Sequence, residues 1–238
     1  MTDVVDDRDA QKAAAGYRTG WGLWGRWIVA NALGEAVGLG LAALLGAALG
    51  LAIERTYGSF AGVIMAVVLI IAGTFEGVVV GLAQSWVLRG AVERLSVSRW
   101  VLMTGLGAFV AWVLGMLPST LMDMGTPGAT AVPAADVPDA VMYVMAAGLG
   151  FVAGPILGFF QWTALRAHVR RAGWWLLANA LAWMVGMPLV FMVAGSAPPA
   201  GITAGYAAFV LLMILATGAL VGAVHGGFLV WLLRKHSR

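Results

Sequence analysis

The chain has no cysteine among its 238 residues, which removes disulfides, thiolate zinc sites and cysteine nucleophiles together and leaves the redox compartment unread. Charge is scarce as well. Asp, Glu, Lys and Arg make up 11% of the residues, against roughly 25% in soluble proteins, too little to solvate a surface. Enzyme signatures are missing: no H-E-x-x-H, phosphate loop or G-x-S-x-G occurs. Gly148-Leu149-Gly150-Phe151-Val152-Ala153-Gly154 has the glycines of a nucleotide loop but lies inside a long apolar run, where it reads as packing. What is abundant is apolar surface. Hydrophobic residues reach 61%, and 33 glycines bring the total to about three-quarters, against roughly 45–50% in a soluble domain. No water-soluble globule hides that much, and disordered or collagen-like chains are excluded by the same composition.

A bilayer core about 30 Å thick takes roughly 20 helical residues at 1.5 Å each. Six apolar runs are long enough: Trp27 to Ile53, Ala61 to Leu88, Trp100 to Leu117, Ala140 to Leu165, Trp174 to Ala194 and Gly205 to Leu233. Residues 118–139, with Pro118, Pro127, Pro133 and Pro138, read as an irregular loop of unassigned role. The start of the chain carries Asp3, Asp6, Asp7 and Asp9 in place of a basic n-region, so no cleavable signal peptide is expected. The reading is an all-α polytopic membrane protein. Residues 1–26 form a cytoplasmic tail and interfacial segment, 27–233 a six-helix transmembrane domain, and 234–238 a cytoplasmic tail.

Lysine and arginine resist translocation and collect in short cytoplasmic loops. Arg8, Lys12, Arg18 and Arg26 precede the first run; Arg89, Arg94 and Arg99 separate the second from the third; Arg166, Arg170 and Arg171 follow the fourth; Arg234, Lys235 and Arg238 close the chain. Only Arg55 falls on the other side. Thirteen of the 14 basic residues thus predict six crossings of the inner membrane with both termini cytoplasmic. The net charge of +3 needs no nucleic acid partner, because anionic lipid attracts such segments by about 1 kcal/mol per charge. The same ends carry nine of the 11 tryptophans, Trp21, Trp24, Trp27, Trp86, Trp100, Trp162, Trp174, Trp175 and Trp231, which read as an interfacial belt. Trp112 and Trp183 lie deeper and read as packing.

The chain also repeats itself. The second run carries Gly73, Gly77 and Gly81, then Gln84, then Leu88-Arg89; the fourth carries Gly150, Gly154 and Gly158, then Gln161, then Leu165-Arg166. In the sixth, Gly218, Gly222 and Gly226 are followed by Leu229 at the glutamine position and by Leu233-Arg234. The odd-numbered runs begin alike at Arg26-Trp27, Arg99-Trp100 and Gly173-Trp174-Trp175, and Ala30-Asn31-Ala32-Leu33 matches Ala178-Asn179-Ala180-Leu181. The unit is a helical hairpin used three times, over about 27–88, 100–165 and 174–233. All copies enter from the same side, which predicts parallel repeats about a pseudo-threefold axis. Glycines spaced by four make a flat stripe for close helix approach, so the even-numbered helices are expected at the centre. The template, G-x-x-Q-W-x-x-L-R, a basic loop and W-W-L-L-A-N-A-L-x-W, resembles a recurring element of uncharacterised bacterial multi-span membrane proteins. Residues 158–183 match most fully; at residues 81–112 Gln84-Ser85-Trp86 replaces Gln-Trp. The resemblance implies a fold and transfers no reaction, substrate or catalytic residue.

Ionisable groups inside a span cost about 2.5–3.5 kcal/mol at mid-helix on insertion scales, so each needs a reason. Glu35, Glu76 and His225 are three such groups. Asn31 and Glu35 share a face with Gly34 and Gly38, turned to the bundle, and Glu76 flanks its glycine stripe. The carboxyls are expected to bond to Asn31, Asn179, Thr104 or backbone, or else to handle protons or cations. His225 is expected to bond Glu76 or Gln161, with haem or pigment ligation as the alternative; no metal site and no other cofactor is expected. His168 and His236 read as solvated. These residues, with Gln84 and Gln161, define three functional expectations: a non-enzymatic scaffold or accessory subunit meeting other membrane subunits or its own copies; a small channel or transporter for protons, cations or a small solute; and a pigment or haem carrier.

Overall fold

In a bilayer core every backbone N–H and C=O must be bonded within its own segment, so long apolar runs settle as helices. The computed structural model describes residues 20–125, 138–196, 198 and 201–234, and those residues are all-helical. The elements are α1 (Gly20–Tyr57), a 3₁₀ turn (Gly58–Phe60), α2 (Ala61–Leu88), α3 (Val97–Gly125), α4 (Asp139–Leu165), α5 (Trp174–Gly195) and α6 (Ala204–Leu233). Six of them are long and apolar enough to cross a membrane. Residues 1–19 with Arg8, Lys12 and Arg18, residues 126–137 of the stretch read as loop, and residues 235–238 with Lys235, His236 and Arg238 lie outside the described residues.

Two boundaries differ from the sequence reading. Helix α1 begins at Gly20, ahead of Trp27, because its first turns are packed: Leu23 is buried, and Trp24 Nε1 donates to the Ala223 carbonyl on α6 at 2.9 Å. Helix α3 continues through Pro118 to Gly125, into the stretch read as loop. A proline deletes one helical hydrogen bond, a cost that a long apolar helix absorbs, as α4 does at Pro155 and α5 at Pro188.

Each helix packs against its neighbours in the chain and α1 closes on α6, giving a ring in sequence order across which, among the described residues, helices meet only through side chains. The even-numbered helices are therefore not central. Their glycine stripes each face one adjacent helix, α2 towards α3, α4 towards α5 and α6 towards α1. The outside of the ring is apolar, with Val29, Leu33 and Val37 on α1, Phe75 and Leu82 on α2 and Leu212 on α6 all exposed, as lipid contact requires.

Burial is uneven along the ring. It runs from the arginine-bearing end to the level of Ala42, Ala72, Ala108, Ala146, Gly186 and Ile214, and beyond that level, Ile53 apart, the characterised side chains are exposed or half-buried. The two short connections at the arginine-bearing end are built alike. After Leu88 and Leu165 the chain makes one further turn, with Val92 N–H donating to Leu88 O at 2.8 Å and Val169 N–H to Leu165 O at 3.0 Å. Both valines are buried, and both reversals pass through an arginine at φ +60°, Arg94 and Arg171. That left-handed conformation costs an L-residue roughly 1–2 kcal/mol, so the packing of the valine plugs offsets it.

Candidate functional site

Three of the tryptophans read as belt are core. Trp27, Trp100 and Trp175 are wholly buried, one at the start of the buried block on each odd-numbered helix, and touch edge to face. Their ring centroids are 6.5 Å apart for Trp27 and Trp100, 6.0 Å for Trp27 and Trp175, and 6.3 Å for Trp100 and Trp175. This geometry suits the indole quadrupole, and it plugs the ring. Trp21, Trp86, Trp174 and Trp231 are exposed at the same end, where the belt reading fits them.

A buried indole N–H needs an acceptor, and the polar residues expected inside the membrane provide it. Trp100 Nε1 donates to Gln84 Oε1 at 3.2 Å, Trp175 Nε1 to Gln161 Oε1 at 2.8 Å, and Trp27 Nε1 to His225 Nδ1 at 2.7 Å. Each odd-numbered helix thus bonds to the even-numbered helix before it around the ring. One turn further along stands a second polar residue, Asn31, Thr104 or Asn179, whose side chain donates back to the carbonyl of its own tryptophan at 2.7, 2.9 and 2.9 Å. The glutamine amides link these units at two of the three junctions: Gln84 Nε2 donates to Asn31 Oδ1 at 2.8 Å, and Gln161 Nε2 to Thr104 Oγ1 at 3.3 Å and Gln84 Oε1 at 3.2 Å. Asn31, Gln84, Gln161, Asn179 and His225 are all brought together, and Thr104 joins them.

On α6 the glutamine position is filled by His225, one turn before Leu229. A Cβ on Gly222 would meet Ile28 Cα and Asn31 Cβ at 3.0 Å, as one on Gly81 would meet Val101 Cα and Thr104 Cβ at 3.1 Å and one on Gly158 would meet Asn179 Cβ at 3.1 Å. Gly218 against Asn31 O and Ala32 Cα matches Gly77 against Thr104 O and Gly105 Cα, and Gly154 against Asn179 O and Ala180 Cα. Leu229 then pairs with Leu88 and Leu165, all three being buried. These contacts pair α6 with α2 and α4 one helical turn away from the pairing that runs through Leu233-Arg234. The remaining glycines also sit at close approaches, Gly73 on the Trp112 ring, Gly150 on Trp183 O and Gly226 on the Trp27 ring.

About 12 Å above the tryptophan plug, counting 1.5 Å per residue from Trp27, lies a carboxyl pair. Glu35 and Glu76 stand close enough to interact, and Trp112 Nε1 donates to Glu76 Oε2 at 3.1 Å. The expected partners Asn31, Asn179 and Thr104 do not reach them, because those three are committed at the plug. Gly38 lets α1 lie flat on Glu76, where a Cβ would meet Cα and Cγ at 2.8 Å, and Gly218 does the same beside Glu35. Glu35 Oε2 is buried with no hydrogen-bond partner.

The expectation that His225 bonds Glu76 or Gln161 is corrected to Trp27. Its Nδ1 lone pair is occupied by that indole, so a neutral imidazole carries its proton on Nε2 and has no lone pair for iron or magnesium. Its ring also lies between Trp27 and Trp175, at centroid distances of 5.6 and 5.5 Å, which denies a macrocycle the space the sequence suggested. Among the described residues no group of three or more His, Asp or Glu is placed to hold a metal ion. No family model, curated protein or solved structure matches the chain.

Proposed function

We propose that this chain is a non-catalytic inner-membrane protein, with both termini cytoplasmic, that serves as a scaffold or accessory subunit of a membrane assembly. It is built from three parallel hairpins related by a pseudo-threefold axis. The carrying observation is that its intramembrane amides, imidazole and indoles are bonded chiefly to one another beneath a three-tryptophan plug. Polar groups that satisfy each other in this way hold helices in register and line no open path. The recurring contacts of Gly77, Gly154 and Gly218 and of Gln84, Gln161 and His225 support the triplicated hairpin. Recognition falls to the apolar outer face and to the bilayer itself, through other subunits or further copies of the chain. Purification from native membranes in mild detergent tests this: a protein partner at fixed stoichiometry supports it, and a lone protein that passes protons or cations in liposomes overturns it.

A second reading, proton or cation handling, is favoured by the open Glu35 Oε2 beside Glu76. An intramembrane carboxyl with a free acceptor is a natural proton or cation stop. Flux into liposomes loaded with a pH dye, lost in Glu35→Gln and Glu76→Gln while the protein stays folded, supports it; flux unaffected by both substitutions rejects it.

A further inference from the structure

At two junctions of the ring one glutamine performs two tasks. Gln84 accepts from Trp100 on α3 and donates to Asn31 on α1; Gln161 accepts from Trp175 on α5 and donates to Thr104 on α3. At the third junction His225 accepts from Trp27 on α1, and the residue on α5 that corresponds to Asn31 and Thr104 is Asn179. Asn179 is 1% exposed, its Nδ2 is spent on the Trp175 carbonyl, and its Oδ1 is buried with no partner.

The imidazole explains why this link stays open in protein atoms. Glutamine ends in an amide that rotates on a flexible stem, so its oxygen and nitrogen can serve two helices at once. A histidine ring is rigid. Once Nδ1 points at the Trp27 indole, the direction of Nε2–H is fixed, and among the described residues that N–H has no acceptor. The third junction therefore holds a donor and a buried acceptor, on side chains both nine-tenths or more removed from solvent, carried by two helices that pack together. A molecule joining them must accept one hydrogen bond and donate another, which water does with a single heavy atom.

We propose that a single buried water occupies the junction of α5 and α6, accepting from His225 Nε2–H and donating to Asn179 Oδ1. It completes at the third hairpin what the glutamine amides complete at the other two. Buried water is retained where polar groups otherwise left unpaired can hold it by at least two hydrogen bonds. The inference rests on reading α6 as a third copy of the pattern in α2 and α4, and that reading is tested separately by whether the three hairpins superpose in an experimental structure.

The test uses the full chain with ¹⁵N-histidine in phosphatidylethanolamine and phosphatidylglycerol bilayers, with His168 and His236 replaced by asparagine so that His225 is the sole imidazole. Solid-state NMR is expected to show the Nε2–H tautomer with magnetisation transfer from water to that proton. The opposite tautomer, or an Nε2–H with no water transfer, overturns the proposal. His225→Gln supplies the residue found at the other two junctions and should raise the unfolding temperature by about 2–4 °C, since its amide reaches Asn179 directly. A lower unfolding temperature for a folded His225→Gln also counts against the water link, and the imidazole spectrum decides the matter if that variant does not fold.

Discussion

Gln84 shows how much one side chain can hold at this site. Its Oε1 receives Trp100 and Gln161, and its Nε2 reaches Asn31, so Gln84→Leu strands the Trp100 indole and the Asn31 oxygen on two other helices, while Gln161 keeps Thr104. A stranded group costs about 1–3 kcal/mol, yet interhelical hydrogen bonds in membranes average only about 0.6 kcal/mol, because the loosened state finds other partners. Weighing these, Gln84→Leu should cost about 2 kcal/mol. Ser85→Ala, whose hydroxyl donates only to Leu82 on its own helix, should cost under about 0.5 kcal/mol. Thermal unfolding of the two variants in detergent checks the contrast, and equal losses would show that the circuit contributes nothing. The polar residues of the site were legible in the sequence, because an amide in an apolar run has to be explained. Their partners were not. Trp27 and Trp21 look the same on paper, amphipathic rings at a helix end, and only the packed ring separates them, at 0% and 83% exposure.

At the scale of a helix, the glycine spacing announces a close-contact face but not what it contacts. Gly154 and Gly148 make the point within one helix. A Cβ on Gly154 would run into the backbone of Asn179 and lie 3.0 Å from Ala180 Cα, whereas one on Gly148 meets nothing within 4 Å. Backbone cannot move aside as a side chain can, so Gly154→Ala should destabilise by about 1–3 kcal/mol. Gly148→Ala should be neutral or stabilising by up to about 1 kcal/mol, since alanine is the better helix former. Thermal unfolding of both variants decides it, and equal tolerance removes the stripe as a packing face. The same stripes misplaced α6 in the sequence comparison, for a physical reason. Leu233-Arg234 ends α6 at the polar boundary just as Leu88-Arg89 and Leu165-Arg166 end α2 and α4, but α6 reaches that boundary one turn later. An alignment anchored on the helix end sets Leu229 against the glutamines, whereas in the contacts with α1 it is His225 that accepts an indole N–H as they do.

Over the whole molecule, sequence and structure agree on six apolar helices and differ on how they are arranged. In a ring where each helix packs its length only against the two beside it, and meets the others through single side chains, the outward-turned faces have lipid, not protein, to lie against. The arginine-bearing end is sealed by three indoles and the far end is loosely packed, so the two ends are chemically distinct and orientation has consequences for any partner. The cysteine-free chain makes orientation directly measurable, because each introduced thiol is the only one present. Glu93 and Arg170 are exposed in the two arginine-rich turns, and Tyr57 and Ile202 are exposed at the opposite end. If basic residues have been retained inside the cell, a membrane-impermeant maleimide added to intact cells should label Tyr57→Cys and Ile202→Cys. It should reach Glu93→Cys and Arg170→Cys only after the membrane is opened. The reverse pattern would turn the protein over, placing the tryptophan plug at the outer face. Labelling of one member of each pair would contradict six crossings altogether, since the four helices between Tyr57 and Ile202, an even number, must return the chain to the same side.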